Sequence, residues 1–229
     1  DIFLLRFVLT FSKKGKFVLN EAADAVQKTV AWRNQNEEVL NQTVLTGKAP
    51  NHDLCMKFLT SGYAGDMGGY EPILVIRSAH CNVKALLTAL SVEQVTQWML
   101  CNREIAFRKC DERTRRTRKL IKHITVIDLA GYSLFSGDSR WDKLMRGVAD
   151  ISGIYYPQLQ GKTVITNMNP VLKSIFRMSY PLMPETLREK IAVCSQADTA
   201  TCGREVSACP FFRRLGGAPD AVPPFLGGT

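Results

Sequence analysis

The sequence predicts an α/β fold: a mixed, mainly parallel sheet floored and covered by helices, with a small helical lobe at the N-terminus. Two observations carry this. Three β-branched apolar runs, at residues 124–131, 162–167 and 190–194, alternate with two helical stripes, and parallel strands require such crossovers. The chain has 229 residues, 45% of them hydrophobic, which suffices for one well-buried domain with a minor lobe.

The elements follow in order. Residues 1–10 read as a helix with Leu4, Leu5 and Val8 facing inward. Lys13-Lys14-Gly15-Lys16 is a polar break. Residues 20–33 form a second helix, capped by Asn20 and striped by Ala22, Val26 and Val30. A loop with Gly47 and Pro50 follows. The expected division is a helical lobe over 1–50 and the main domain over 51–229. A glycine-rich stretch at 62–69 leads into a strand ending near Arg77. Ser91-Val92-Glu93-Gln94 is a capping box opening a long helix with Val95, Trp98, Met99, Ile105 and Ala106 inside. The run Ile124-Thr125-Val126-Ile127-Asp128-Leu129-Ala130-Gly131 is apolar on both faces, as the central strand of a parallel sheet is. Trp141, Leu144, Val148, Ile151 and Tyr155 recur at helical spacing until Pro157 stops them. After the strand at 162–167, Val171, Leu172, Ile175 and Phe176 make the last clear stripe. Residues 201–215 read as a helix broken by Pro210.

Composition excludes several classes. No apolar run reaches the roughly 18 residues of a membrane-spanning helix. Residues 3–11 are apolar, but Arg6 interrupts them and the lysines follow rather than lead, unlike a signal peptide. Because the chain opens on Asp1, it is expected to be part of a longer protein. The cysteines are seven (Cys55, Cys81, Cys101, Cys110, Cys194, Cys202 and Cys209), an odd number without C-x-x-C, which points to a reduced, cytoplasmic setting. His52, His80 and His123 lie at no ligand spacing to a cysteine pair, so no metal is expected. The formal net charge is +9, with Arg113, Arg115, Arg116, Arg118, Lys119 and Lys122 close together. Such a surface suits an anionic membrane, and its simpler reading is a solvated helix end. Without interleaved aromatics or a known motif, nucleic acid is not expected as a partner.

No catalytic constellation emerges. There is no G-x-S-x-G. His80-Cys81 lacks the arginine of a cysteine phosphatase, since Leu87 stands there. Gly161-Lys162-Thr163 ends like a phosphate loop, but Tyr156 occupies its first glycine position and a strand follows. Asp128 is read as hydrogen-bonding the end of its strand. The chain is expected to be a carrier or sensor rather than an enzyme.

Four runs are distinctive together: Ile127-Asp128-Leu129-Ala130-Gly131-Tyr132-Ser133, Tyr155-Tyr156-Pro157, Ile165-Thr166-Asn167-Met168-Asn169-Pro170, and Arg188-Glu189-Lys190-Ile191. In order and spacing they resemble the CRAL-TRIO lipid-binding family, whose members read "D-L-x-G", "Y-Y-P-E", "I-I-N-x-P" and "T-R-E-K-I". Leu4-Leu5-Arg6-Phe7 with Trp32-Arg33 is similar to the family's opening, with a linking segment about four residues longer. Asp66, Gly69 and Pro72 are similar to its hairpin, and residues 222–229 to its closing run.

The resemblance implies a hydrophobic ligand pocket on one sheet face under a mobile helical gate. The gate would be residues 171–183, then Pro184 and 185–190, with Leu172, Ile175, Phe176, Met178, Tyr180, Leu182 and Met183 as its apolar side and Pro181 and Pro184 bounding a hinge. It implies binding of phosphatidylinositol, phosphatidylcholine or a similar amphiphile, exchanged at membrane surfaces by a peripherally associated protein. The alternative is a membrane-recruitment or interaction module of a larger signalling protein, with lipid as anchor. No cofactor beyond the lipid is implied. For the headgroup, Lys190 matches the lysine of phosphatidylinositol-binding members. Their threonine falls at Leu187, with Thr186 one step off, and their glutamate is Gln158. Phosphatidylcholine-binding members contact the headgroup from the central strand, where Thr125 matches a hydroxyl position and His123 occupies another. The simpler reading of His123 is a lone surface histidine.

Overall fold

The computed structural model describes residues 1–13, 15–64, 71–133, 137–183 and 185–195. Asp66, Gly69, Pro184, the expected helix over 201–215 and the run over 222–229 lie outside the described residues. So does the side chain of Thr186. The chain divides into two compact units. One comprises Asp1–Leu59, Asn82–Ile121 and Gly137–Leu159; the other comprises Thr60–Cys81, Lys122–Ser136 and the chain from Gln160 onward.

The first unit is helical: α1 (Ile2–Thr10), a short hairpin of β1 (Ser12–Lys13) and β2 (Lys16–Phe17), α2 (Leu19–Gln35), α3 (Glu37–Thr46), α4 (His52–Phe58), α5 (Val83–Ala89), α6 (Val92–Thr117) and α7 (Ser139–Tyr155). The expected capping box opens α6: Ser91 Oγ accepts from Gln94 N–H, and the Gln94 side chain accepts from Ser91 N–H. Gly47 ends α3 in the left-handed region, φ 70°, as a helix-terminating glycine does.

Two helix faces differ from the sequence reading. On α1 the buried residues are Arg6 and Phe7, while Leu4 and Leu5 are exposed. Arg6 goes inward because every face of its guanidinium is used. Its Nε donates to Asp111 Oδ1 (2.7 Å), Nη1 to Gln158 O (2.8 Å) and Nη2 to Ile121 O (2.9 Å), and the group lies over the Phe107 ring at 5.1 Å. On α2 the buried residues are Ala22, Ala25 and Thr29, and Val30 is exposed. Ala22 and Ala25 are small enough to receive Phe7, with Phe3, Phe11 and Val26 around it. Asn20 does not cap α2. Val18 is the cap residue, and no side chain bonds there.

The second unit is a five-stranded sheet in the order β3 (Ser61–Ala64), β4 (Ile73–Arg77), β5 (His123–Asp128), β6 (Gln160–Met168), β7 (Ile191–Ser195). β3 pairs antiparallel to β4, and β4 through β7 run parallel. The mixed, mainly parallel character is as expected. After β6 come α8 (Pro170–Ser179), a 3₁₀ turn (Tyr180–Leu182) and α9 (Glu185–Arg188).

The two central motifs are tied at the carboxyl ends of β5 and β6. Asp128 is 2% exposed; its Oδ1 accepts from Ala130 N (3.1 Å) and Asn167 Nδ2 (2.8 Å), and its Oδ2 lies 3.5 Å from Arg77 Nε. The carboxylate therefore organises the strand ends, which accounts for its burial without any catalytic role. Asn167 has φ 54°, a left-handed position that asparagine tolerates better than most residues. Asn169 then caps α8 by accepting from Leu172 N (2.9 Å), and Pro170 stands in the first turn, where its missing N–H costs nothing.

Candidate functional site

The two faces of the sheet differ in burial. On one, Ile73, Val75, Ile124, Val126, Val164 and Met168 are each at most 6% exposed. On the other, cross-strand register aligns Leu74 with Thr125, Thr163 and Ile191, and Ile76 with Ile127, Ile165 and Val193. Of this second set only Thr125 is buried; the six aliphatic residues are all partly exposed. An interior strand row rich in Ile and Val ordinarily lies under protein. Here it is an apolar floor whose six aliphatic side chains all stay partly exposed.

One end of the floor is polar. The His123 imidazole meets Gln160 Oε1 through Nε2. Gln160 Nε2 lies 3.2 Å from Thr125 Oγ1 and 3.3 Å from Thr163 Oγ1. A register irregularity of β6 against β5, where His123 pairs with Gln160 and Thr125 with Thr163, turns Gln160 onto this face. Gly161 makes the close approach possible: a Cβ there would stand 2.9 Å from His123 O. Thr163 N–H donates to Lys190 O (2.8 Å), so Lys190, whose side chain is exposed, joins the same end of the sheet. The structure thus joins the His123 and Thr125 side chains through Gln160 and brings the Lys190 backbone to the same end of the sheet. His123 is 2% exposed, so the surface-histidine reading is overturned; its bond to Gln160 holds it inside. Gln160 and Thr163 were missed by the sequence reading. The irregularity that aims Gln160 is a pairing property with no signature in a single strand.

The expected gate carries the second apolar surface. α8 buries none of its residues. Leu172, Phe176 and Met183 are partly buried, and Phe176 packs on Tyr180 with ring centroids 5.5 Å apart. Ile175, Met178 and Leu182 are exposed, the last two at 78% and 86%. Apolar side chains this open on a helix of the sheet unit mark a surface awaiting cover.

Among the described residues no group of three or more His, Cys, Asp or Glu is placed to hold a metal ion, and no helix is long and apolar enough to cross a membrane. The family model of the CRAL/TRIO domain matches residues 67–217. The chain belongs to that family. CRAL/TRIO domains bind and transfer lipids, so the chain belongs to the lipid-binding class. Among solved structures it is similar to the crystal structure of Sfh5, with a TM-score of 0.61 and 16% identity over 90% of this chain and 68% of that one. At that identity the likeness concerns the fold.

Other residues that carry the sequence resemblance lie inside the helical unit. Trp32 stacks on Tyr155 (4.4 Å, 10° between planes) and meets Tyr156 edge-on at 6.0 Å. Arg33 Nη2 donates to Glu104 Oε1 (2.6 Å), which also accepts from Arg108 Nε (2.7 Å); Glu104 is fully buried. Burial, with the Glu104 carboxylate adding to it, pushes the Tyr156 phenol far above its usual range. Gln158, expected to stand for the family glutamate, sits at φ 55°; its Nε2 donates to Thr10 Oγ1 (3.2 Å) and its backbone carbonyl accepts from Arg6. In this unit those two bonds tie it to α1. The helical unit also has a cleft of about 520 Å³ whose lining includes Trp32, Val39, Leu40, Leu100 and Cys101. None of the expected ligand residues lines it.

Proposed function

We propose that this CRAL/TRIO domain carries a phospholipid as cargo and exchanges it at membrane surfaces. The acyl chains lie along the floor of Leu74, Ile76, Ile127, Ile165, Ile191 and Val193. The phosphate sits at the end formed by Thr125, Gln160, Thr163 and Lys190, and α8 with α9 closes over the chains. The observation that carries this reading is the presence, within one unit, of a partly exposed aliphatic sheet face and a helix that buries none of its residues and leaves Ile175 and Met178 exposed. A hydrocarbon ligand satisfies both.

The energetics favour a closed carrier. Moving a buried CH₂ into water costs about 0.8 kcal/mol, so two chains of about 16 carbons cost on the order of 20 kcal/mol or more, and unaided desorption is slow. An apolar floor and lid replace the bilayer as solvent, leaving extraction nearly balanced; the gate needs only to open while in contact with a surface. At the headgroup, hydroxyls and an amide donate to phosphate oxygens and the Lys190 ammonium adds charge. These groups serve the phosphate that phosphatidylinositol and phosphatidylcholine share. The chain performs no covalent chemistry in this scheme.

The test is transfer of labelled phosphatidylinositol and phosphatidylcholine between donor and acceptor vesicles. The proposal expects catalytic amounts of protein to equilibrate at least one of them, and Lys190→Ala to slow it. Stable binding without transfer refutes cargo exchange and supports an anchoring module.

A further inference from the structure

We infer that the β1–β2 hairpin is a membrane-inserting finger, a docking element separate from the gate that reads anionic bilayers. It rests on the proposed exchange of lipid at bilayers and adds the surface that brings the domain there.

The hairpin pairs Ser12 with Phe17 and Lys13 with Lys16, with Gly15 at φ 77° in the turn. Its base is anchored. Val18 N–H donates to Phe11 O (2.9 Å), and Phe11 packs on the Phe7, Ala22 and Ala25 cluster. Beyond that anchor Phe17 is 57% exposed, Leu19 is 62% exposed and Lys16 is exposed. Two bulky apolar side chains within three residues of one another, open to water at a hairpin end, have no structural use there.

The charges around them name the partner. Residues 11–20 contain Lys13, Lys14 and Lys16 and no acid. Arg6 ties α1, which feeds the hairpin, to Asp111 near the end of α6, where Arg115, Arg116, Arg118 and Lys119 are also exposed. Lysines beside an aromatic and a leucine match the interface of a bilayer, with anionic headgroups outside and acyl chains just beneath. A peptide partner would call for a groove, whereas Phe17 and Leu19 are largely open to water.

The test uses the whole chain with vesicles of phosphatidylcholine alone or with about a third phosphatidylserine. Wild type should partition to the anionic vesicles. Each lysine near such a surface contributes about fivefold, so Lys13→Gln with Lys16→Gln should weaken partition about twenty-five-fold and leave residual binding to neutral vesicles unchanged. Phe17→Ala with Leu19→Ala should lose at least about tenfold, and because both residues are exposed and alanine suits a helix start, the fold should be intact. A Phe17→Trp protein should be quenched by brominated acyl chains more than wild type, placing residue 17 below the headgroups.

Copurified lipid should be the same in all three variants, because the hairpin is not part of the cargo site. Wild-type partition by both double variants, or a residue 17 tryptophan unquenched on saturated anionic vesicles, overturns the inference; so does binding that survives only to an acidic peptide. An empty wild-type protein whose hairpin still inserts refutes the cargo reading and leaves the finger standing.

Discussion

Ile165 lies midway along the proposed floor, between Ile127 and Val193. It is partly exposed, so an aspartate there stays hydrated while the floor is bare, and the empty protein should lose no more than about 1–2 kcal/mol of stability. Covered by acyl chains, the carboxylate must lose its water or take up a proton. Protonation is the cheaper route. From an ordinary aspartate pKa of about 3.9, it costs roughly 4 kcal/mol at about pH 7, near a thousandfold in lipid affinity. The lost contact of the isoleucine with the chains adds about 1–2 kcal/mol. The sign of the pH dependence follows. As pH falls toward about 4 the aspartic acid becomes neutral and the larger part of the penalty vanishes, so loading by Ile165→Asp should recover. Ile165→Asn has no such group and should stay impaired at both values. The assay is uptake of a fluorescent phospholipid by delipidated protein, with circular dichroism confirming the fold. An Ile165→Asp protein that loads like wild type near neutrality would refute the placement of the chains on this face.

Three further outcomes concern the frame around the site. Arg6→Ala leaves the Gln158 and Ile121 carbonyls and the Asp111 carboxylate without their shared partner, and should cost about 3–5 kcal/mol in urea unfolding. Gly161→Ala drives a Cβ against His123 O, which backbone motion alone relieves; it should cost about 1–3 kcal/mol by thermal unfolding and displace the His123 ring resonances in NMR spectra. The Arg140 side chain and its backbone N–H hold the Asp138 carboxyl down to about 2. A depressed carboxyl stabilises the fold above its unfolded pKa and loses that contribution as pH falls through its folded one. Amide protection factors at the start of α7 should therefore fall between the ordinary aspartate value and about 2, and Asp138→Asn should flatten that response.

The parts of the fold set by local chemistry were legible in the residues. The Ser91 capping box, the Pro157 stop, the helical stripe from Val171 to Phe176 and the doubly apolar run at β5 each depend on neighbours close in sequence, and the order β-α-β-α-β followed from them. What failed depended on distant partners. Leu4 and Leu5 looked like the inner face of α1 because an arginine is ordinarily outside; Asp111, Ile121 and Gln158, more than a hundred residues away, reverse that. Val30 was assigned to the core of α2, but Thr29 is fully buried and its hydroxyl donates to Ile154 O (3.3 Å). At the proposed site, Thr125, His123 and Lys190 rest on family resemblance alone. Gln160 and the burial of His123 depend on a shift in register between two strands, which exists only once they pair. The partly bare floor was equally invisible, since a strand of Ile and Val reads the same whether protein or lipid lies over it.

The central claim is that the aliphatic face of the sheet is covered by hydrocarbon. Purified protein, extracted into organic solvent and analysed by mass spectrometry against a protein-concentration standard, tests it most directly. The account predicts close to one phospholipid per chain in wild type and near none in Ile165→Asp purified at neutral pH. Wild-type protein that is folded, monodisperse and free of lipid, and that takes none up from vesicles, would contradict it.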